Sequence, residues 1–265
     1  MNVLLTSAGR RSYLVEYFKD ALKGAGRVIA CNSTMNSTAL IAADDWIESP
    51  LIYSDEYIPF LLDVIERHEI RLVLSLFDAD LPVLAHNRRE LEATGALVLV
   101  SSPKVVETCN DKWKTYLFLR ESGIPAPATF LRLNDAVAAL ERGEICYPLV
   151  IKPRWGMGSL SIFTAESEGE LRVLYEKSRR GVFESYLAYE SRQDRDACII
   201  IQEYIAGSEY GLDVVNDLHS RHLVTSVKRK IGMRGGETDG AITVKNEELS
   251  ELGRKLGTLL GHIGN

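Results

Sequence analysis

Along the first hundred residues, short apolar runs alternate with amphipathic stretches. Residues 3–5 form a buried-strand run, followed by a Ser/Gly turn and a helix predicted over 12–23. That helix carries Tyr13, Leu14, Tyr17, Phe18, Ala21 and Leu22 on i, i+4 spacing and is stopped by Gly24 and Gly26. The same reading gives strands at 27–31, 71–76 and 96–100 and helices at 58–68 and 81–94. Strands and helices in this alternation predict a parallel sheet with helices on its faces. A further helix is expected over 103–122, broken by Gly123-Ile124-Pro125-Ala126-Pro127.

Beyond the break the pattern changes. Runs at 149–152 and 160–163 flank Trp155-Gly156-Met157-Gly158-Ser159, which predicts a hairpin with a glycine-rich tip. A helix over 168–179, a polar stretch over 181–196 and strands at 198–203, 211–215 and 222–228 follow. The last expected helix, 247–261, aligns Leu249, Leu252, Leu256 and Leu259 on one face.

With 265 residues the chain is long enough for two domains. The net charge of -6 argues against broad attraction to nucleic acid. The cysteines, Cys31, Cys109, Cys146 and Cys198, form neither a C-x-x-C pair nor a zinc-like cluster, and read as reduced thiols. No apolar stretch reaches the ~18 residues of a spanning helix, and the N-terminal run is too short for a signal peptide. The expectation is a cytoplasmic protein without nucleic-acid or membrane partners.

Three segments carry candidate chemistry. The first is Tyr147-Pro148-Leu149-Val150-Ile151-Lys152-Pro153 with the loop through Ser159. A lysine ending a buried strand calls for an anion, and the glycines let backbone N–H groups approach phosphate oxygens. The segment is not a Walker A motif; its plain alternative is a solvated lysine beside a turn. The second is Ile199-Ile200-Ile201-Gln202-Glu203-Tyr204-Ile205-Ala206-Gly207-Ser208-Glu209. Backbone leaving a strand offers the donor and acceptor an adenine needs, and a nearby carboxylate suits ribose hydroxyls; its alternative is an ordinary strand–turn–strand. The third is Asn110-Asp111-Lys112-Trp113-Lys114, unremarkable alone.

In this order and spacing the three resemble the ATP-grasp superfamily, most nearly proteins similar to the carbamoyl phosphate synthetase large subunit. Biotin carboxylase and D-alanine–D-alanine ligase are more distant relatives. The resemblance covers nearly the whole chain. It implies an α/β fold with a Rossmann-like, parallel-sheet pre-ATP-grasp domain (1–102) and an α+β ATP-grasp domain (103–265). The latter divides into a linker helix (103–124), a glycine-loop lid subdomain (about 125–203) and a partial C-terminal subdomain (204–265). It further implies that Lys112 and Lys152 contact ATP phosphates and that Gly156, Gly158 and Ser159 form the lid. Gln202, Glu203, Tyr204 and Ile205 would hold adenine and Glu209 the ribose. Arg234, with Lys228 second, would face the transferred phosphate; a basic surface loop is the competing reading of Lys228-Arg229-Lys230 and Arg234-Gly235-Gly236. The implied activity is ATP-dependent joining of a carboxylate, or a bicarbonate-like acid, to an amine or similar nucleophile through an acylphosphate.

The chain departs from the family in having no E-x-N-P-R, so the ligands of the implied Mg²⁺ are expected beyond residue 265, and Asp213 reads as structural. A cut-short chain, a split gene or a degenerate module all fit. The expectation is that a second chain or a longer product completes the site, homo-oligomerisation being the other option, and that the final helix is left with exposed leucines. Separately, Thr6-Ser7-Ala8-Gly9-Arg10-Arg11 suits an anion, the acid substrate among the options, with Asp78 and Asp80 at the same predicted sheet edge. The alternative is that Ser12 and Asp80 only cap helices. Two other functions compete: a non-catalytic nucleotide-binding or regulatory subunit, and a dinucleotide-dependent dehydrogenase. The latter is weakened by a first turn with Gly9 but no G-x-G-x-x-G.

Overall fold

The computed structural model describes residues 1–234 and 237–265. The chain divides into two compact units. The first holds Met1–Val106 with Asn216–Arg221 and Gly261–Asn265; the second holds Glu107–Val215 and His222–Leu260. The sequence placed the division at 102/103 and kept all of 204–265 in one subdomain.

The first unit runs β1 (Asn2–Thr6), α1 (Ser12–Leu22), β2 (Val28–Asn32), α2 (Thr38–Ala42), β3 (Asp45–Glu48), α3 (Tyr57–Arg67), β4 (Ile70–Ser75), a 3-10 turn (Asp78–Asp80), α4 (Leu81–Glu92) and β5 (Leu97–Val98). The strands form the expected parallel sheet in the order β3-β2-β1-β4-β5. β1 and β2 are almost wholly buried, as strands covered on both faces must be. Val3, Leu5, Val15, Val28 and Ala30 pack on one side; Leu4, Ile29, Leu61, Ile65 and Leu84 pack on the other. The reversal of strand order falls between β1 and β4, where an open sheet presents ligand-binding loops. The short α2 and β3 are too brief to leave a periodic signal. Asn216 and Gly264 form a backbone bridge, and the Ile263 N–H donates to Ser101 Oγ at 3.0 Å.

The expected helix over 103–122 is instead two, α5 (Pro103–Asn110) and α6 (Lys112–Glu121). Asp111 separates them in an extended conformation, and its carboxylate accepts from the N–H groups of Trp113 and Lys114, an N-cap the periodicity does not reveal. Next come β6 (Thr129–Phe130), α7 (Leu133–Glu141), β7 (Leu149–Pro153), β8 (Phe163–Ala165), α8 (Glu168–Phe183), α9 (Ala188–Ser191) and β9 (Ile199–Glu203). The expected hairpin is β7 with β8, in a four-stranded sheet ordered β6-β9-β7-β8. Its core gathers Leu149, Ile151, Leu171, Ile199 and Ile201. The polar stretch after 181 completes α8 and adds α9.

A second sheet orders β10 (Tyr210–Asn216), β11 (His222–Arg234) and β12 (Glu237–Thr243), with α10 (Glu247–Leu260) against β11. β11 runs well past the expected end at 228, because β12, too polar to be read as a strand, pairs with it from Lys228 to Arg234. Gly235 and Gly236 lie outside the described residues. In α10 the residues that bury are Gly253 and Gly257. Leu249, Leu252 and Leu256 are half-buried, and Leu259 is exposed as expected. The missing Cβ atoms let the helix backbone approach the strand.

Candidate functional site

β7 alternates buried and half-buried residues, so Leu149, Ile151 and Pro153 enter the core while Val150 and Lys152 face the other way. On β9, Gln202 lies opposite Val150 on that same face. Lys152 Nζ therefore reaches Gln202 Oε1, donating at 2.6 Å. Gln202 Nε2 in turn donates to Thr129 Oγ1 at 2.9 Å, and Thr129 Oγ1 to the Pro127 carbonyl at 2.9 Å. The Glu203 carboxylate accepts from the Ala128 N–H at 3.1 Å. Burial lowers the Lys152 pKa. Its charged form is thus at a disadvantage that an anion would offset.

The glycine loop follows directly. Gly156 and Gly158 have φ of 137° and 67°, and Ser159 and Ser161 both have φ of 56°, the left-handed region. Two serines there cost roughly 1 kcal/mol each. Both ends of the loop are fastened. Lys112 Nζ donates to the Gly156 carbonyl at 2.7 Å, and Ser178 Oγ donates to that of Ser161 at 2.7 Å. A Cβ on Gly156 would lie 2.9 Å from Leu187 Cδ1, and one on Gly181 would lie 2.3 Å from Ser161 Oγ. Gly158, Ser159 and Leu160 at the tip are exposed. The structure thus joins Lys152 to Gln202, and Lys112 to the glycine loop that follows Lys152; Glu203, opposite Leu149, holds the Ala128 N–H instead.

Other expected residues lie elsewhere in the second unit. Tyr204 and Ile205 are exposed just past β9. Glu209 is exposed and pairs with Lys230 Nζ at 2.6 Å rather than with a member of the Lys152 group. Lys228 pairs with Asp213 at 2.5 Å, and Arg234, 82% exposed, with Asp239 at 3.1 Å. Gly207, Ser208 and Glu209 line an open cavity of about 490 Å³ with Arg229, Lys230, Ile231, Gly232 and Met233. The residues present fit a nucleotide's phosphates: a half-buried lysine beside a strained glycine loop. Among the described residues no group of three or more His, Cys, Asp or Glu stands together, and Asp213 and Glu209 are paired with Lys228 and Lys230.

In the first unit, Asp80 is fully buried. It does not cap α4 with its side chain. Its Oδ2 instead accepts from Thr6 Oγ1 at 2.6 Å, Ser75 Oγ at 2.8 Å, Tyr57 Oη at 3.0 Å and Ser7 Oγ at 3.1 Å. Among the described residues Oδ1 has no hydrogen-bond partner. Burial raises the Asp80 pKa, the four hydroxyls opposing. Arg11, not Ser12, occupies the N-cap of α1, with no side-chain hydrogen bond. Arg10 is exposed and Arg11 half-buried. The Asp80 cluster joins three separate segments, 6–7, 57 and 75–80, so no local signal marks it. The sequence also passed over Arg154, whose Nε and Nη2 bind the two Asp111 oxygens.

Residues 109–264 match the family model described as ATP-grasp domain, and residues 3–99 match the PylC-like N-terminal domain. The carbamoyl phosphate synthase arginine-specific large chain of Geobacillus stearothermophilus is 24% identical over 234 residues, which are 86% of this chain and 21% of that one. The chain thus spans about a fifth of that relative's length. The biotin carboxylase domain of Hydrogenobacter thermophilus 2-oxoglutarate carboxylase, solved with MgADP, ADP and bicarbonate, superposes with a TM-score of 0.73 at 19% identity. That match covers 99% of this chain and 58% of the other. Campylobacter jejuni biotin carboxylase, solved with a β,γ-ATP complex, gives a TM-score of 0.73 at 18% identity over 99% and 60% of the two chains. Among the described residues no helix is long and apolar enough to cross a membrane.

Proposed function

The chain belongs to the ATP-grasp family, and from that premise we propose that it binds ATP for the ligation of a carboxylate, or a bicarbonate-like acid, to an amine or similar nucleophile. One observation carries the reading: Lys152, half-buried with a depressed pKa, stands at the strand end that leads into the glycine loop, and Lys112 is bonded to that loop. Lys152 and Lys112 would neutralise the phosphates, and the loop N–H groups of Gly156, Gly158 and Ser159 would close on them. Gln202, Glu203, Tyr204 and Ile205 would receive adenine as the backbone leaves β9, and Glu209 the ribose. Arg234 and Lys228 are the candidates for the transferred phosphate, each now paired with an aspartate that an anion would have to displace.

In the reaction class, a carboxylate oxygen attacks the γ-phosphorus and ADP departs. The nucleophile then attacks the acyl carbon and phosphate departs. The chain's own part is charge neutralisation and alignment. A second chain or a longer product would supply the metal ligands. The non-catalytic reading, a nucleotide-binding regulatory subunit, is favoured by the pairing of Lys228 and Arg234 with Asp213 and Asp239.

Calorimetric titration with ATP tests the proposal. Wild type is expected to bind with little enhancement by Mg²⁺, and Lys152→Ala to bind roughly tenfold more weakly. A wild-type chain that does not bind ATP ends the reading. Phosphate release with candidate acids and amines, measured on the chain completed by its missing segment or partner, separates the ligase from the regulatory subunit.

A further inference from the structure

Arg154 stands where β7 gives way to the glycine loop, and Asp111 stands where α6 begins. Arg154 Nε and Nη2 donate to the two oxygens of Asp111 at 2.8 and 2.7 Å. The two side chains are 11% and 3% exposed. This parallel two-bond pairing is the most directional contact a guanidinium makes with a carboxylate. Nη1 reaches Asp194 at 3.2 Å, and the guanidinium lies 4.3 Å from the Trp155 ring centroid. The backbones are joined as well: the Lys112 N–H donates to the Arg154 carbonyl at 3.1 Å, and Asp111 forms a bridge with Trp155.

A buried ion pair adds little net stability over a well-packed apolar pair, so its use has to be sought in what it orients. Here that is plain from the neighbours in sequence. Lys112, next to Asp111, carries the ammonium bonded to the Gly156 carbonyl. Lys152, on β7, lies two residues before Arg154, and Gly156 two residues after it. We propose that Arg154 is a positioning residue, which by clamping Asp111 holds the start of α6 so that Lys112 meets the glycine loop that follows Lys152. Its effect on nucleotide affinity rests on the ATP reading above; its effect on the loop does not.

The intact chain is compared with Arg154→Lys, which keeps the charge and loses the fork, and Asp111→Asn, which keeps a capping oxygen and loses the charge. Asp194→Asn removes only the outer leg, on a side chain 45% exposed, and serves if the inner variants do not fold. ATP and adenosine affinities are measured by calorimetry, and amide exchange over 156–161 without nucleotide. Arg154→Lys and Asp111→Asn are expected to weaken ATP on the order of tenfold, to leave adenosine unchanged, and to be less than additive together. Exchange over 156–161 should quicken in both, and less so in Asp194→Asn. Unchanged ATP affinity with unchanged loop exchange overturns the proposal. So does equal loss of ATP and adenosine, which marks a residue that only holds the fold. A wild type without ATP affinity ends the nucleotide reading alone, and loop exchange then decides whether Arg154 clamps the loop.

Discussion

Replacing Gly253 by alanine sets two opposed effects against each other on α10. Alanine in a helix interior is favoured over glycine by about 1 kcal/mol. The added Cβ, however, would lie 2.4 Å from Thr225 Cγ2, 2.7 Å from its Oγ1 and 3.1 Å from its Cβ. Carbon atoms pack at about 3.5–4.0 Å, so the helix has to lift from β11 by roughly 1 Å. A new rotamer gives little relief: Thr225 is stiff at its branched Cβ, and its Oγ1 is 2.9 Å from His222 Nε2. Overpacking of this kind costs about 1–3 kcal/mol, and the net expectation is a loss of about 1 kcal/mol. Urea unfolding followed by circular dichroism measures it. Gly169→Ala in α8, where nothing lies within 4 Å of the built Cβ, is the control and should stabilise by up to about 1 kcal/mol. Thr225→Ala combined with Gly253→Ala should recover most of the loss. If Gly253→Ala is as stabilising as Gly169→Ala, the close approach of α10 to β11 is refuted.

Two further outcomes follow from titrating groups. Burial raises the Asp80 pKa above 3.8, so the folded chain favours the protonated carboxyl. That contribution is fully present below 3.8 and is lost as pH rises through the raised value; the stability of wild type relative to Asp80→Asn should fall with pH across that window, and a rise in urea midpoint difference would contradict it. Burial lowers the Lys152 pKa and a phosphate beside it would raise it, so ATP binding should take up protons at alkaline pH and weaken as pH rises. Binding heats compared in buffers of different ionisation enthalpy measure the uptake, and none in wild type at alkaline pH rejects the phosphate contact.

The parallel sheet was legible because β1, β2 and β4 are apolar runs set between amphipathic helices, and one period or the other dominates each stretch. The strand ending at Lys152 and the glycine loop were legible for a similar reason: an apolar run, a lysine and closely spaced glycines are local. What escaped was fixed from a distance. The break at Asp111 depends on a cap and on Arg154 across the chain fold. β12 carries Glu237, Thr238, Asp239 and Gly240, and becomes a strand through pairing with β11. The leucine stripe of α10 was legible as a stripe, but the glycines that seat the helix interrupt it without any apolar signature. Asp80 was singled out beside the first turn; the four hydroxyls that converge on it come from segments whose adjacency only the fold supplies.

The hydrogen bond from Ile263 to Ser101 and the bridge of Asn216 with Gly264 have a bearing on how the protein is made. Residues 1–106 leave the ribosome before the other pieces of the same unit, which arrive only after residue 215 and again after residue 260. Until then Ser101 Oγ lacks the amide it accepts from. Residues 1–106 are therefore finished only after 107–215 have been made, and a stalled or nicked product ending before residue 216 leaves them without the other two segments of their unit.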